Sequence, residues 1–270
     1  MSARSSAIDE RAARRRFTRA ARSYAGASRL EAEVGARMLE RLDYVKLAPR
    51  RILDAGSGPA REAPALAARY RGAAIIALDY ALAMLPRRRR FFYRGPIALC
   101  GDLARLPLAP QSVELVWCNM ALHWVNEPLA AFREFARVLA PEGLLMFSTL
   151  GPDTLKELRA AAGDARVHAF TDMHDLGDML IAAGYSAPVM DMEVVRIEYA
   201  AGARLLEDLR ASGQTNARAD RPRGLAGRGF LRGLRESPLG ATYEVVHGHA
   251  WRRAQAEPAV KTVRVFKRFS

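Results

Sequence analysis

Lysine is nearly missing from this chain. Only Lys46, Lys156, Lys261 and Lys267 stand among 42 basic residues, so a formal net charge of +13 is carried almost wholly by arginine. Cysteine is equally scarce. Cys100 and Cys118 sit in or beside apolar runs at no paired spacing, which argues against a disulfide framework or a cysteine metal site and fits buried thiols in a reducing compartment. The five histidines form no ligand pattern with nearby acids, so no metal is expected. No stretch of about 18 residues is free of charge, so no membrane span is expected. The opening MSARSSAIDERAARRRF is basic but lacks an apolar centre, and Asp9 and Glu10 argue against a transit peptide. The expectation is a cytoplasmic protein. Aromatic residues make up 8%, and no aromatic-basic motif stands out among the dispersed arginines, so nucleic acid is not the expected partner. The arginine surplus reads either as a compositional bias or as attraction to an acidic macromolecule.

What the chain does have is length, apolar content and rhythm. Its 270 residues, half of them hydrophobic, suffice for one sizeable core. Residues 8–42 carry helical periodicity, with Leu30, Val34, Met38 and Leu42 four apart, and predict one or two helices. Strands are then expected at 51–55, 73–78, 97–100, 113–118 and 143–149, with helices at 59–70, 81–90 and 127–139 between them. Such alternation predicts a parallel sheet with helices on both faces. After Thr149 the spacing predicts a helix capped by Asp153, a second helix ended by Gly184, a strand over 189–199 and a helix over 202–212. An irregular arginine- and glycine-rich 218–233 and a last strand near 241–253 follow. The expected organisation is a helical lid at 1–45, a ligand-binding core at 46–150, a substrate-side insertion with the final strands at 151–250, and a basic tail at 251–270.

The chemistry gathers at strand ends. The first strand runs into ILDAGSGPA, where Gly56 and Gly58 permit a sharp turn and a close backbone approach by a ligand. Asp54 precedes that turn. A carboxylate there repels a pyrophosphate and suits a cationic amine, which favours the amino acid end of S-adenosylmethionine over a dinucleotide. Asp79 closes the second strand, where a carboxylate can accept from both hydroxyls of a ribose or cap the next helix; Tyr80 follows it. In CGDLARLPL, Asp102 is placed to accept from an adenine amino group and Leu103 to cover the ring, although Gly-Asp is also a common turn pair.

Taken in order, DAGSGPA, the Leu-Asp ending the second strand, GDLARLPL, VELVWCNMALHWV and RVLAPEGLLMFST resemble the class I S-adenosylmethionine-dependent methyltransferases over residues 50–150. The resemblance implies a Rossmann-like fold with a mostly parallel seven-stranded sheet, N-terminal helices and a helical insertion after the fifth strand. The third glycine of the family's acid-x-Gly-x-Gly-x-Gly pattern is Ala60 here, a residue that fits a helix start. The segments FTRAARSYAGASRLEAEV, FSTLGPDTLKELRAA, FTDMHDLGDMLIAAGYSAPVMDMEVV and ATYEVVHGHAW further resemble the malonyl-[acyl-carrier-protein] O-methyltransferases of biotin synthesis. Tyr24 matches that family's N-terminal tyrosine, and Glu31 stands where glutamine is usual. The post-149 segment is also similar to an arginine-hydroxylating assembly factor for mitochondrial complex I. Another methyltransferase class, acting on a small acid or a quinone, is the further alternative.

The resemblance implies S-adenosylmethionine as cofactor, with Asp54, Gly56, Gly58, Asp79, Tyr80, Asp102, Leu103 and Asn119 as its binding residues. It implies an acyl carrier protein bearing a malonyl-phosphopantetheine arm as partner. Methyl transfer from a sulfonium is an in-line displacement, and a malonyl carboxylate is already ionised at pH 7, so no general base is required. The sequence accordingly offers no Ser-His-Asp or paired-acid constellation. Tyr24, His123 and Arg159 are the candidate catalytic residues. Tyr24 would close the methyl-donor site, His123 would donate to the carboxylate, and Arg159 would pair with it, with Lys156 a weaker version of the same contact. Each has a plainer reading as packing or as a solvated helix charge. Trp124 reads as a pocket wall. Arg87 to Arg90 and the 218–235 arginines are candidates for steering an acidic carrier protein.

Overall fold

The computed structural model describes residues 7–86, 95–222 and 228–254. The chain opens with α1 (Glu10–Ala20), α2 (Tyr24–Ala27) and α3 (Arg29–Arg41), three pieces where the periodicity predicted one or two. Asp9 caps α1 by accepting from the Ala12 amide at 2.9 Å. The break between α2 and α3 falls at Ser28, whose hydroxyl turns back to the Tyr24 carbonyl at 2.7 Å.

The sheet is built from β1 (Arg51–Ala55), β2 (Ala74–Asp79), β3 (Ile97–Cys100), β4 (Val113–Cys118), β5 (Leu139–Leu150), β6 (Tyr185–Tyr199) and β7 (Leu239–Arg252). Its order is β3-β2-β1-β4-β5-β7-β6. The first five strands are parallel, whereas β7 runs antiparallel to both β5 and β6. Order reverses between β1 and β4, so the crevice at their carboxyl ends is where an open α/β sheet binds ligands.

Alternation along the strands divides the core between two faces. Ile52, Leu115, Trp117 and Leu144 pack with Met38 and Leu42 of the N-terminal helices and Leu66 of α4 (Ala63–Arg69). Leu53, Val116, Cys118 and Leu145 pack on the other face with Phe132 and Phe135 of α5 (Pro128–Val138) and with Leu176 and Leu180 of α7 (Met173–Ala182). Burial on both sides explains why β1 and β4 read as almost unbroken apolar runs.

Four expectations change. The helix predicted from Pro59 begins only at Ala63, because Ala60 adopts φ +56, a left-handed conformation that cannot start a helix. Asp153 does not cap α6 (Lys156–Ala162); Leu155, at φ +56, immediately precedes that helix, and the Asp153 carboxylate pairs with Lys156 at 2.8 Å. Cys118 is buried as expected, but Cys100 is exposed. Residues 81–85 form turns rather than a helix, and the 87–90 arginines lie outside the described residues, as does the tail from 255. The insertion closes with α8 (Gly202–Ala211) and α9 (Arg228–Glu236). Among the described residues no helix is long and apolar enough to cross a membrane, and no cluster of His, Cys, Asp or Glu could hold a metal ion.

Candidate active site

The turn after β1 folds onto the end of β2. Gly56 at φ +75 and Gly58 at φ +53 occupy the left-handed region, which lets the amides of Gly56 and Ser57 both donate to the Leu78 carbonyl, at 2.8 and 2.9 Å. The Asp79 carboxylate then ties the two strand ends together, accepting from the Gly58 amide at 3.0 Å and the Ala81 amide at 2.7 Å. A side chain at Gly56 would collide with Ala121, and one at Gly58 would stand 3.5 Å from the Tyr24 ring. Tyr24 therefore rests directly over the glycine turn.

A cavity of about 690 Å³ opens above this turn. Seven of the eleven residues expected in the site line it: Tyr24, Gly56, Gly58, Asp79, Tyr80, Asp102 and Leu103. Asp102 stands at the exposed rim with its carboxylate accepting from the Ala104 amide at 2.9 Å, while Leu103 is buried. The roof comes from α1, which contributes Glu10, Arg11, Arg14 and Phe17, and from Trp124 in the 3-10 turn after β4. Phe17 meets Trp124 edge-on at 4.9 Å and lies 6.4 Å from Tyr24 and 6.2 Å from Tyr80. Sequence reasoning missed Phe17 and Gln214. The only local signal for Phe17 is that it is the one aromatic residue in a basic helix.

Four expected residues do not line the cavity. Asp54 lies beneath the turn, almost fully buried, with Oδ2 lacking any hydrogen-bond partner among the described residues. Asn119 is spent in a half-buried network: its amide donates to the Glu31 carbonyl at 2.9 Å and Glu62 Oε1 at 3.1 Å, and Ser148 donates to its oxygen at 2.8 Å. Glu31 accepts in turn from Gln214. His123 faces two smaller cavities of about 40 and 110 Å³ instead. Burial, and then the neighbouring His168, push its ring down to about 3, so it is neutral, with Nδ1 unpartnered among the described residues. Arg159 does not reach the cavity. Its guanidinium donates to the carbonyls of Pro152, Thr154 and His168, at 3.1, 3.4 and 3.3 Å, and so braces the loops around α6.

Four buried acids, Asp79, Asp54, Glu62 and Glu31, lie in and beneath the floor. Burial raises Asp79 from 3.8 to about 6. Asp54 is pushed well up by burial and then by the negative charges of Glu62 and Asp79. Burial also raises Glu62 and Glu31, and holds the Tyr24 phenol well above its usual value, with Glu31, Asp79 and Glu62 adding to the shift. Arg61 opposes these shifts at Glu31, Glu62 and Tyr24, but its guanidinium is directed at the Ala25 carbonyl and the Ser28 hydroxyl. Buried carboxylates so incompletely compensated favour a cationic ligand.

A family described as "Methyltransferase domain" matches residues 53–147. Two relatives, both named malonyl-[acyl-carrier protein] O-methyltransferase, align along nearly the whole chain. The one from Methylovorus sp. is 49% identical over 91% of this chain and 90% of its own length; the one from Gallionella capsiferriformans is 46% identical over 92% of each. The chain belongs to the malonyl-[acyl-carrier protein] O-methyltransferase family. Solved structures show the same fold: the YcgJ protein of Bacillus subtilis superposes with a TM-score of 0.57 at 17% identity, over 83% of this chain and 100% of that one. A possible histamine N-methyltransferase from Thermotoga maritima gives 0.55 at 14% identity, over 89% and 100%.

Two local features set this malonyl-[acyl-carrier protein] O-methyltransferase family member apart from the pattern its sequence resembles. Ala60 keeps the left-handed backbone that a third glycine would adopt without strain, so the turn geometry survives the added methyl group. Glu31 is a buried acid held by Gln214, which ties α3 to the loop after α8.

Proposed function

We propose that this protein transfers a methyl group from S-adenosylmethionine to the free carboxylate of a malonyl thioester carried on acyl carrier protein. The observation that carries the reading is the group of buried acids beneath the two-glycine turn, under a cavity of about 690 Å³, within a chain nearly half identical to relatives of that name. The residues present fit the cofactor. Asp54 holds an orphaned buried oxygen, Gly56 and Gly58 leave the backbone bare, and Asp79, Tyr80, Asp102 and Leu103 face the cavity. When bound there, S-adenosylmethionine supplies a methyl group on a sulfonium whose departure leaves a neutral thioether.

The chain's own residues bind, orient and exclude water. Asp79 offers a carboxylate to ribose hydroxyls while its two backbone contacts keep it fixed. Leu103 supplies an apolar wall, and Asp102 a rim acceptor. The buried acids favour positive charge, so they would hold a sulfonium cofactor in preference to its thioether product. Tyr24, Phe17 and Trp124 close the roof and shed water from the reacting groups. Tyr24 remains protonated, so it serves as a hydrogen-bond donor and not as a base. No base is needed, since the malonyl carboxylate is ionised at neutral pH. The helices α1 to α3 act as the lid.

The test is the intact mass of malonyl-carrier protein after incubation with this protein and the cofactor. A gain of one methylene, reversed by mild base, is the expected result. An unchanged mass with the cofactor demonstrably bound would move the substrate elsewhere.

A further inference from the structure

The sequence of α1, ERAARRRFTRA, buries Ala12, Ala13, Phe17 and Ala20 and turns Arg11, Arg14, Arg15 and Arg19 to solvent. At 3.6 residues per turn these four span an arc of about 140°, and exposed Arg22 continues it just beyond the helix end. The outward face of α1 is thus arginine, broken only by Thr18 and bordered by Glu10.

The fold does not account for this face. Arg11/Arg15 and Arg15/Arg19 are like-charge pairs four apart, each costing about 0.2–0.5 kcal/mol. Arg11, Arg14 and Arg15 stand in the first half of the helix, where the macrodipole disfavours cations. Among the described residues, Arg11, Arg15, Arg19 and Arg22 form no ion pair. Arg14 reaches the Cys100 sulfur at 3.9 Å. The sole acid of α1, Glu10, accepts from Asn126 at 3.0 Å. Other arginines are committed elsewhere. Arg16 donates to the Thr215 carbonyl at 2.8 Å, Arg218 pairs with Asp220 at 2.7 Å, and Arg221 pairs with Asp9 at 3.2 Å. The uncompensated field is visible in Arg16, which is lowered by burial first and then by charges that include Arg221, Arg15 and Arg19.

The position of the face is as informative as its charge. Arg11 and Arg14 line the mouth of the large cavity, and Arg15, Arg19 and Arg22 lead away from it. The helix spans about 16 Å at 1.5 Å per residue, a suitable footprint for one helix of a small partner. No aromatic side chain is exposed along it, because Phe17 points inward, so a stacking platform for single-stranded nucleic acid is missing.

We propose that the arginine face of α1 is the docking surface for an acidic carrier protein, with Arg11 and Arg14 receiving the phosphate of its prosthetic arm at the cavity mouth. The proposal rests on the function proposed above. Docking there delivers the arm's thioester end into the cavity, beneath Phe17 and Trp124, while the protein body stays on α1.

Charge reversal at positions that do not line the cavity tests it. R15E/R19E should lower kcat/KM for malonyl-carrier protein about tenfold or more, and R15Q/R19Q by less. Both should leave kcat/KM for malonyl-N-acetylcysteamine within about twofold of wild type, and the reversal should flatten the salt dependence. Anisotropy of labelled malonyl-carrier protein reads docking without turnover. Weaker binding by the variants supports the surface even if no methyl ester forms, a result that would sink the function alone. Equal binding by wild type and R15E/R19E overturns the surface, as do parallel losses on the carrier and the small thioester. Tighter binding of a single-stranded oligonucleotide than of carrier protein, lost in the variants, would overturn it in favour of nucleic acid.

Discussion

Gly56→Ala probes the turn on which the cavity is built. Two separate costs meet at this position. The first is conformational: φ is +75, and an L-residue held there loses about 1–2 kcal/mol, partly offset by about 0.4–1 kcal/mol from a less flexible unfolded chain. The second is steric. The new methyl would lie well inside van der Waals distance of Ala121 Cβ, the wall residue opposite, and overpacking of this kind costs about 1–3 kcal/mol. The sum is about 2–4 kcal/mol, measured by urea unfolding. Gly72→Ala supplies the conformational part alone, since Gly72 has φ +88 with nothing within 4 Å of a built Cβ. Ala121→Gly removes the opposing methyl group, and the next atom of Ala121, its Cα, is 3.7 Å away, an ordinary contact. In the double variant Gly56→Ala/Ala121→Gly the steric part should therefore vanish while the conformational part stays. A favourable coupling of about 1–3 kcal/mol is expected from the cycle. Strict additivity of the two single changes would refute the steric argument. A Gly56→Ala loss no larger than that of Gly72→Ala would do the same.

Asp79 supplies a pH dependence. Its carboxyl titrates near 6 in the folded chain against an ordinary 3.8, so the folded state holds an extra proton between those values. The contribution is fully present below about pH 4 and is lost as pH rises through 6, about 3 kcal/mol in all. Urea melts from pH 4 to 7 should show that loss in wild type and a flatter profile in Asp79→Asn; parallel profiles would remove Asp79 as the cause. Arg159→Ala should cost about 1–3 kcal/mol of stability through three abandoned carbonyls while leaving KM for substrate unchanged. A raised KM at full stability would return Arg159 to the substrate site. His123, pushed down to about 3, should place no inflection near pH 6 in kcat/KM, and an inflection there that disappears in His123→Gln would show the ring titrating in the site.

The sequence by itself determined whatever is local in the chain. β1 and β4 announced themselves as apolar runs, and DAGSGPA, Asp79 and Asp102 fell at strand ends because strand, turn and motif are contiguous there. Strand–helix alternation pointed to a parallel sheet with helices on both faces, while the seven-stranded Rossmann-like form was what the family resemblance implied. Only the tertiary structure decided how distant residues share their polar groups. Asn119 reads as a ligand contact in sequence, yet its amide belongs to Glu31 and Glu62, 88 and 57 residues away. Arg159 reads as a free cation, and although its partners Pro152, Thr154 and His168 are near in sequence, only the fold of the loops around α6 turns their carbonyls onto it. Ala60 reads as a helix start, but the turn's closure onto Leu78 and Asp79 carries the chain through a left-handed residue first. The arginines of α1 are plain in the sequence, whereas their place at the cavity mouth is not. Backbone periodicity is set by neighbours a few residues apart, so it can be read along the chain. The satisfaction of a buried charge or amide depends on whichever groups burial brings within about 3 Å, and that is settled only in three dimensions.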